Sequence, residues 1–245
     1  MHKTNYSFLQ QALAWSVHVF TASGLVAGFM AILAINRSDW KTAMLWLVAA
    51  LVIDGIDGTF ARLFKVKEIL PDTDGKTIDY VVDFANYAII PSYMFYMAGL
   101  APEPWLLPCV AIILLVSAVY YGIEGMVSED MYFVGFPVLW NMVLFYLLFV
   151  WQLPPLGNVL AIIVFAVLHF IPIKFVYPSQ ASRFKWPTLI NTVLFILTLI
   201  AILLYYPSRQ WWLTLLAYLT AAYYAVMAVY DTWFAPAASD NRNTE

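Results

Sequence analysis

Apolar stretches of about 20 residues, the length a helix needs to cross a bilayer, follow one another along almost the entire chain. Eight of them are separated by proline, glycine or charged residues, at 14–35, 41–62, 76–100, 105–127, 135–152, 156–177, 188–206 and 210–234. Hydrophobic residues make up 63% of the sequence and charged ones 11%, well under the share of about a quarter in soluble domains. The mean hydropathy of +0.78 agrees. These features predict an all-α polytopic membrane protein of about eight transmembrane helices. The breaks, at 36–39, at 65–74 and at Pro102, Pro104, Pro154, Pro155 and Pro207, leave no room for a soluble domain. Residues 1–245 are therefore read as one integral membrane domain, with a short polar tail at 236–245 expected to be disordered.

Charge removes other classes of function. A net charge of −3, a pI near 5.5 and basic residues spread singly along the chain exclude nucleic-acid binding. Cys109 is the single cysteine and so forms no intrachain disulfide. His2, His18 and His169 stand far apart with no zinc-like spacing, so a metal here is expected to be held by oxygen. No distinct cleavage site follows the N-terminal segment, which is read as retained. With the N-terminus in the cytoplasm, Lys3, Arg62, Lys65, Lys67, Lys76, Lys174, Arg183, Lys185 and Arg242 lie inside, and Arg37, Lys41 and Arg209 outside. That excess of positive charge predicts both termini on the cytoplasmic side.

Four aspartates interrupt this apolar frame. Asp54 and Asp57 fall near the end of the second stretch, Asp79 and Asp83 near the start of the third, both at the predicted cytoplasmic level. Each carboxylate within a bilayer costs about 2.5–3.5 kcal/mol on insertion scales, so four together require a compensating partner or a function. Arg62 and Lys76 cannot neutralise all four, whereas one or two divalent cations can. Asp54 and Asp57 are three residues apart and Asp79 and Asp83 four apart, so each pair projects from one face of its own helix. Two such helices, facing each other, can enclose a metal. Gly58 and Ala61 share the stripe of Asp54, and Gly75 precedes Asp79 by one turn. Small residues there allow either a ligand to approach the backbone or two helices to pack closely.

Read in order, the residues are Asp54-Gly55-Ile56-Asp57-Gly58-Thr59-Phe60-Ala61-Arg62, twelve more, then Gly75-x3-Asp79-x3-Asp83. This resembles the signature of the CDP-alcohol phosphotransferases, D-x2-D-G-x2-A-R followed by G-x3-D-x3-D. The intervening gap is longer than is common in that family and is similar to that of its bacterial phosphatidylcholine synthase branch. So is the segment Phe133-Val134-Gly135-Phe136-Pro137-Val138-Leu139-Trp140-Asn141. The resemblance covers most of the chain and implies a helical bundle in the bacterial inner membrane. It implies that Asp54, Asp57, Asp79 and Asp83 hold one or two Mn²⁺ or Mg²⁺ ions, with Asp83 the general base. It implies a nucleotide met by His18, Thr21, Gly58, Ala61, Arg62 and Gly75. His18 departs from the family, which has Asn at that place. The implied reaction joins choline to CDP-diacylglycerol, giving phosphatidylcholine and CMP, and the family's frequent homodimers leave a homodimer open.

A quaternary ammonium has no donor to offer, so aromatic faces with a nearby carboxylate are expected to recognise it. Tyr121, Glu124 and Trp140 are the first candidates, with Tyr120, Asn141 and Tyr87 beside them. Tyr and Trp also form interfacial belts in membrane proteins. Residues 124–134 have no Lys or Arg and carry Glu124, Glu129 and Asp130, a charge pattern that would draw a cation inward. Pro137 is read as a first-turn proline of the fifth helix.

Two rivals are kept. A phosphatidylserine or phosphatidylglycerophosphate synthase would share the motif, although the acidic loop opposes a phosphorylated alcohol. A divalent-cation transporter would use the aspartates for permeation. Against it stand their clustering at one end, the expectation of no matching acid in the later stretches, and the lack of an internal repeat.

Overall fold

Polar residues at the breaks become helix caps. In the computed structural model, which describes residues 6–123, 132–176 and 184–235, Ser7 and Gln10 form a capping box that opens α1 (Phe8–Ile35). Asp39 accepts from the Thr42 N–H at 3.0 Å to open α2 (Trp40–Leu63). A single turn, α3 (Val66–Ile69), follows Lys65, whose φ of 49° turns the chain. Asp74 then accepts from the Lys76 N–H at 3.1 Å and from the Thr77 hydroxyl at 2.7 Å, opening α4 (Gly75–Phe84). α4 runs directly into a π-helical turn (Ala85–Ile89) and on into α5 (Ile90–Met97), with Pro91 in its first turn. The later helices are α6 (Glu103–Gly122), α7 (Trp140–Phe145) with a second π turn (Tyr146–Trp151), α8 (Pro155–Leu168), α9 (Lys185–Tyr205) and α10 (Trp211–Trp233).

Five of these helices, α1, α2, α6, α9 and α10, are long and apolar enough to cross a membrane. The protein is thus a helical membrane protein. The expected third stretch is divided by its π turn, and the fifth and sixth are short apolar helices, Trp140–Trp151 and Pro155–Leu168. Two expected helical segments are not helix. Residues 135–139 precede α7 because Gly135 has a φ of +84°, so Pro137 lies before the helix rather than in its first turn. Residues 169–176, expected to end the sixth helix, turn at Pro172 and finish in a strand, β2 (Lys174–Val176). That strand pairs antiparallel with β1 (Tyr132–Val134), Phe133 opposite Phe175, a small sheet the apolar pattern did not announce.

The chain divides into two compact units. The first comprises residues 1–118 and 138–162. In it α1 lies centrally, packed on α2, α3, α4 and α5. Ala14 and Val17 of α1 meet Val66 of α3, flanked by Phe60 and Ala61 of α2 and by Phe64 just beyond it. Further along α1, Gly24 and Gly28 face α4 and its π turn. A Cβ on Gly24 would come within 2.8 Å of Val82 Cγ1, and one on Gly28 within 2.6 Å of Ile90 Cδ1. Close approach of this kind is how helices associate where lipid removes the hydrophobic drive.

The second unit comprises residues 119–137 and 163–245. α9 and α10 are joined by polar side chains: Thr188 with Tyr223 at 2.8 Å, Thr192 with Tyr224 at 2.7 Å, and the Asn191 amide to the Thr220 carbonyl at 3.1 Å. Such bonds contribute about 0.6 kcal/mol each within membranes. β2 lies on α10, the Lys174 N–H donating to the Thr232 hydroxyl at 2.8 Å. Gly135 packs so closely on the His169 carbonyl that any side chain would collide with it.

Candidate active site

Both aspartate pairs belong to the first unit, on the two helices that flank α1. Asp54 and Asp57 lie in the second half of α2, Asp79 and Asp83 on α4. One carboxylate oxygen from each of Asp54, Asp57 and Asp79 lies within 4.8 Å of the other two. Asp57 is buried, while Asp54 and Asp79 are partly accessible. Ligands held at about 2.4 Å from one ion are at most about 4.8 Å apart. The donor set is oxygen only, so the chemistry of this cluster fits a single hard divalent cation.

Asp83 was expected among the metal ligands, yet the cluster of three does not include it. It stands one turn beyond Asp79 on α4, close to Asp54. Tyr87, expected near choline, is buried and donates its hydroxyl to Asp54 Oδ2 at 2.8 Å. Its phenol thus orients a carboxylate and presents no open aromatic face.

The nucleotide candidates divide. Thr21 is buried on α1, donates to the Val17 carbonyl at 3.2 Å and lies within hydrogen-bonding reach of Asp57. Arg62 is exposed at the end of α2, donates to the Thr59 hydroxyl at 3.2 Å, and has Nη1 3.4 Å from where a Gly58 Cβ would stand. His18 is buried against the edge of Trp15, and among the described residues its Nε2 has no hydrogen-bond partner. Gly75 also makes room for a neighbour: a Cβ there would come within 3.0 Å of His18 Cε1. Ala61 likewise serves packing, set against Ala14, Val17 and Val66.

The choline candidates are divided between the two units. Trp140 is 1% exposed and spends its indole N–H on the Ser117 hydroxyl at 2.9 Å, so it is core of the first unit. Asn141 is fully buried beside it, its side-chain oxygen accepting from the Met142 N–H. Tyr120 belongs to the second unit, buried edge-on to His169 at 5.4 Å, with its hydroxyl on the Val134 carbonyl. Tyr121 stands edge-on to Tyr120 and is only partly buried. Glu124, with Glu129 and Asp130, lies outside the described residues.

The sequence reading missed three features. Asn86, in the π turn after Asp83, is 1% exposed and donates its amide to the Gly24 carbonyl at 3.1 Å. Its position three residues past Asp83, on the same helical face, was the available signal. The Gly24-x3-Gly28 spacing of α1 was another. The third is Asp231, an acid of the later stretches, buried in the last turn of α10.

No protein-family model matches the sequence. Among curated proteins, the chain is 37% identical to the phosphatidylcholine synthase of Rhizobium meliloti (strain 1021), the alignment covering 81% of this chain and 82% of that one. It is 38% identical to the phosphatidylcholine synthase of Borreliella burgdorferi, over 74% of this chain and 77% of the relative. The Pseudomonas aeruginosa phosphatidylcholine synthase is 39% identical over 72% of this chain and 74% of its own length. With identity at this level across most of both sequences, the chain belongs to the phosphatidylcholine synthase family.

Proposed function

We propose that this protein is a phosphatidylcholine synthase, transferring the phosphatidyl group of CDP-diacylglycerol to choline. The observation that carries the reading is the cluster of Asp54, Asp57 and Asp79 with Asp83 one turn away, in a chain related to such synthases along most of its length. Asp54, Asp57 and Asp79 hold Mn²⁺ or Mg²⁺, as one ion or two. When bound, the ion offsets the charge of the pyrophosphate and of the transition state. Asp83 removes the proton of the choline hydroxyl. That oxygen forms its bond to the phosphorus bearing the diacylglycerol, in line with the departing phosphate oxygen. The bond to CMP breaks with its electron pair, and CMP leaves.

Arg62 grips phosphate with its planar fork, and Thr21 and His18 line the nucleotide beside Asp57 and Gly75. For the choline cation we carry forward Tyr121 and Glu124, an aromatic face and a carboxylate. The eight apolar helical stretches are taken as eight crossings of the bacterial inner membrane in one domain, with both termini and the aspartates at the cytoplasmic face. A homodimer fits the family.

The test is CMP release from CDP-diacylglycerol by purified protein with Mn²⁺, comparing choline, serine and no alcohol. Choline-dependent release is expected. Serine-dependent release would keep the chemistry and overturn the acceptor. No release with any alcohol would overturn the enzymatic reading and return the aspartates to a transporter.

A further inference from the structure

The π-helical turn after Asp83 sends two polar side chains to two different helices. Asn86 donates to the Gly24 carbonyl of α1 at 3.1 Å, and Tyr87 donates to Asp54 of α2 at 2.8 Å. Both residues are almost fully buried, at 1% and 3% exposure. Apolar packing between membrane helices has little directional preference, so buried hydrogen bonds of this kind fix how a helix is rotated. Four residues of ordinary α-helix overshoot one turn by about 40°. The wider turn, closed by the Ile90 N–H on the Ala85 carbonyl five residues back, rotates less per residue than that and carries Tyr87 where its hydroxyl meets Asp54. The bulge therefore has a geometric result: it brings the phenol to the cluster that α4 itself supplies with Asp79.

We propose that Tyr87 is a positioning residue for the metal site. Its hydroxyl fixes the rotation of the Asp54 carboxylate and leaves the other oxygen to the cation, while Asn86 holds the same turn against α1. This rests on the reading of Asp54, Asp57 and Asp79 as metal ligands. Partners that orient a ligating carboxylate usually govern metal affinity as strongly as activity, about 10–100-fold on removal.

The experiment is a titration of the purified full chain with Mn²⁺ alone, followed by electron paramagnetic resonance, for wild type, Tyr87→Phe, Asp54→Asn and the double variant. Thermal midpoints are recorded for each. Tyr87→Phe keeps the buried ring and is expected to weaken Mn²⁺ binding about 10–100-fold with little change in midpoint. In the assay with CDP-diacylglycerol and choline, excess Mn²⁺ should restore its rate. In the Asp54→Asn background the second substitution should add almost nothing. Wild-type Mn²⁺ affinity in Tyr87→Phe, with Asp54→Asn impaired, would overturn the role of Tyr87 alone. An equal loss in both backgrounds would overturn it as well, because the phenol would then act elsewhere. Normal binding by Asp54→Asn would overturn the ligand reading on which the inference rests. Should Tyr87→Phe not fold, Asn86→Ala tests the same turn: unchanged affinity there would count against it.

Discussion

Gly28 shows how tightly the site's supporting helices are set. A methyl group at this position would fall on Asn86 Oδ1 and within 2.6 Å of Ile90 Cδ1, whereas one at Gly55 would meet nothing within 4 Å. Gly28→Ala should destabilise the protein by about 1–3 kcal/mol, the usual range for overpacking, and Gly55→Ala should leave the thermal midpoint unchanged. Equal midpoints for the two would contradict the close approach of α1 to α4. Trp140 gives a second residue-scale expectation, since its indole is buried and bonded to Ser117. Trp140→Phe should lower stability by about 1 kcal/mol, the usual net contribution of one hydrogen bond, while the KM for choline stays put. A raised KM with unchanged stability would restore Trp140 to the acceptor site. The aspartates were legible in the sequence because four charges in an apolar frame have few explanations. Gly75 and Ala61 were less so: a small side chain makes room for a ligand or for a neighbour alike, and the sequence does not display the neighbours, His18 and Val17, that they meet.

At the scale of elements, α4 depends on its cap. The Asp74 carboxyl accepts from the Thr77 hydroxyl and from backbone amides, and these bonds hold it below the ordinary carboxylate range. A group lowered in the folded state lends its stability above its unfolded value and loses it as pH falls through the folded one. Asp74→Ala should therefore be less stable and less active than wild type at neutral pH, and the stability gap should close as pH drops below about 4. A gap that persists in acid would mean that the cap does not act through its charge. The five long helices were legible from hydropathy, but the interruptions of the other stretches were not. The π turn at Ala85–Ile89 bonds to tertiary partners, Gly24 and Asp54, that no local pattern displays. The strand pair escaped for a similar reason: residues 132–134 and 174–176 are far apart in sequence, the first run reading as part of an acidic loop and the second as the end of an apolar helix.

For the molecule as a whole, the proposed cytoplasmic placement of the termini and the aspartates rests on the distribution of basic residues. In a Cys109→Ser background, Lys67→Cys, exposed between α2 and α4, should react with an impermeant maleimide only from the cytoplasmic side. Arg37→Cys, exposed between α1 and α2, should react only from the opposite side. The reverse pattern would move the aspartates away from the cytoplasmic nucleotide pool and contradict the proposed reaction. The division of labour among the four aspartates is tested most directly by choline-dependent CMP release from CDP-diacylglycerol in Asp83→Asn against wild type, at saturating Mn²⁺. A general base held one turn from a three-carboxylate metal site predicts a loss of about 10²–10⁴-fold. A rate equal to wild type would show that Asp83 takes no proton and that the chemistry lies elsewhere.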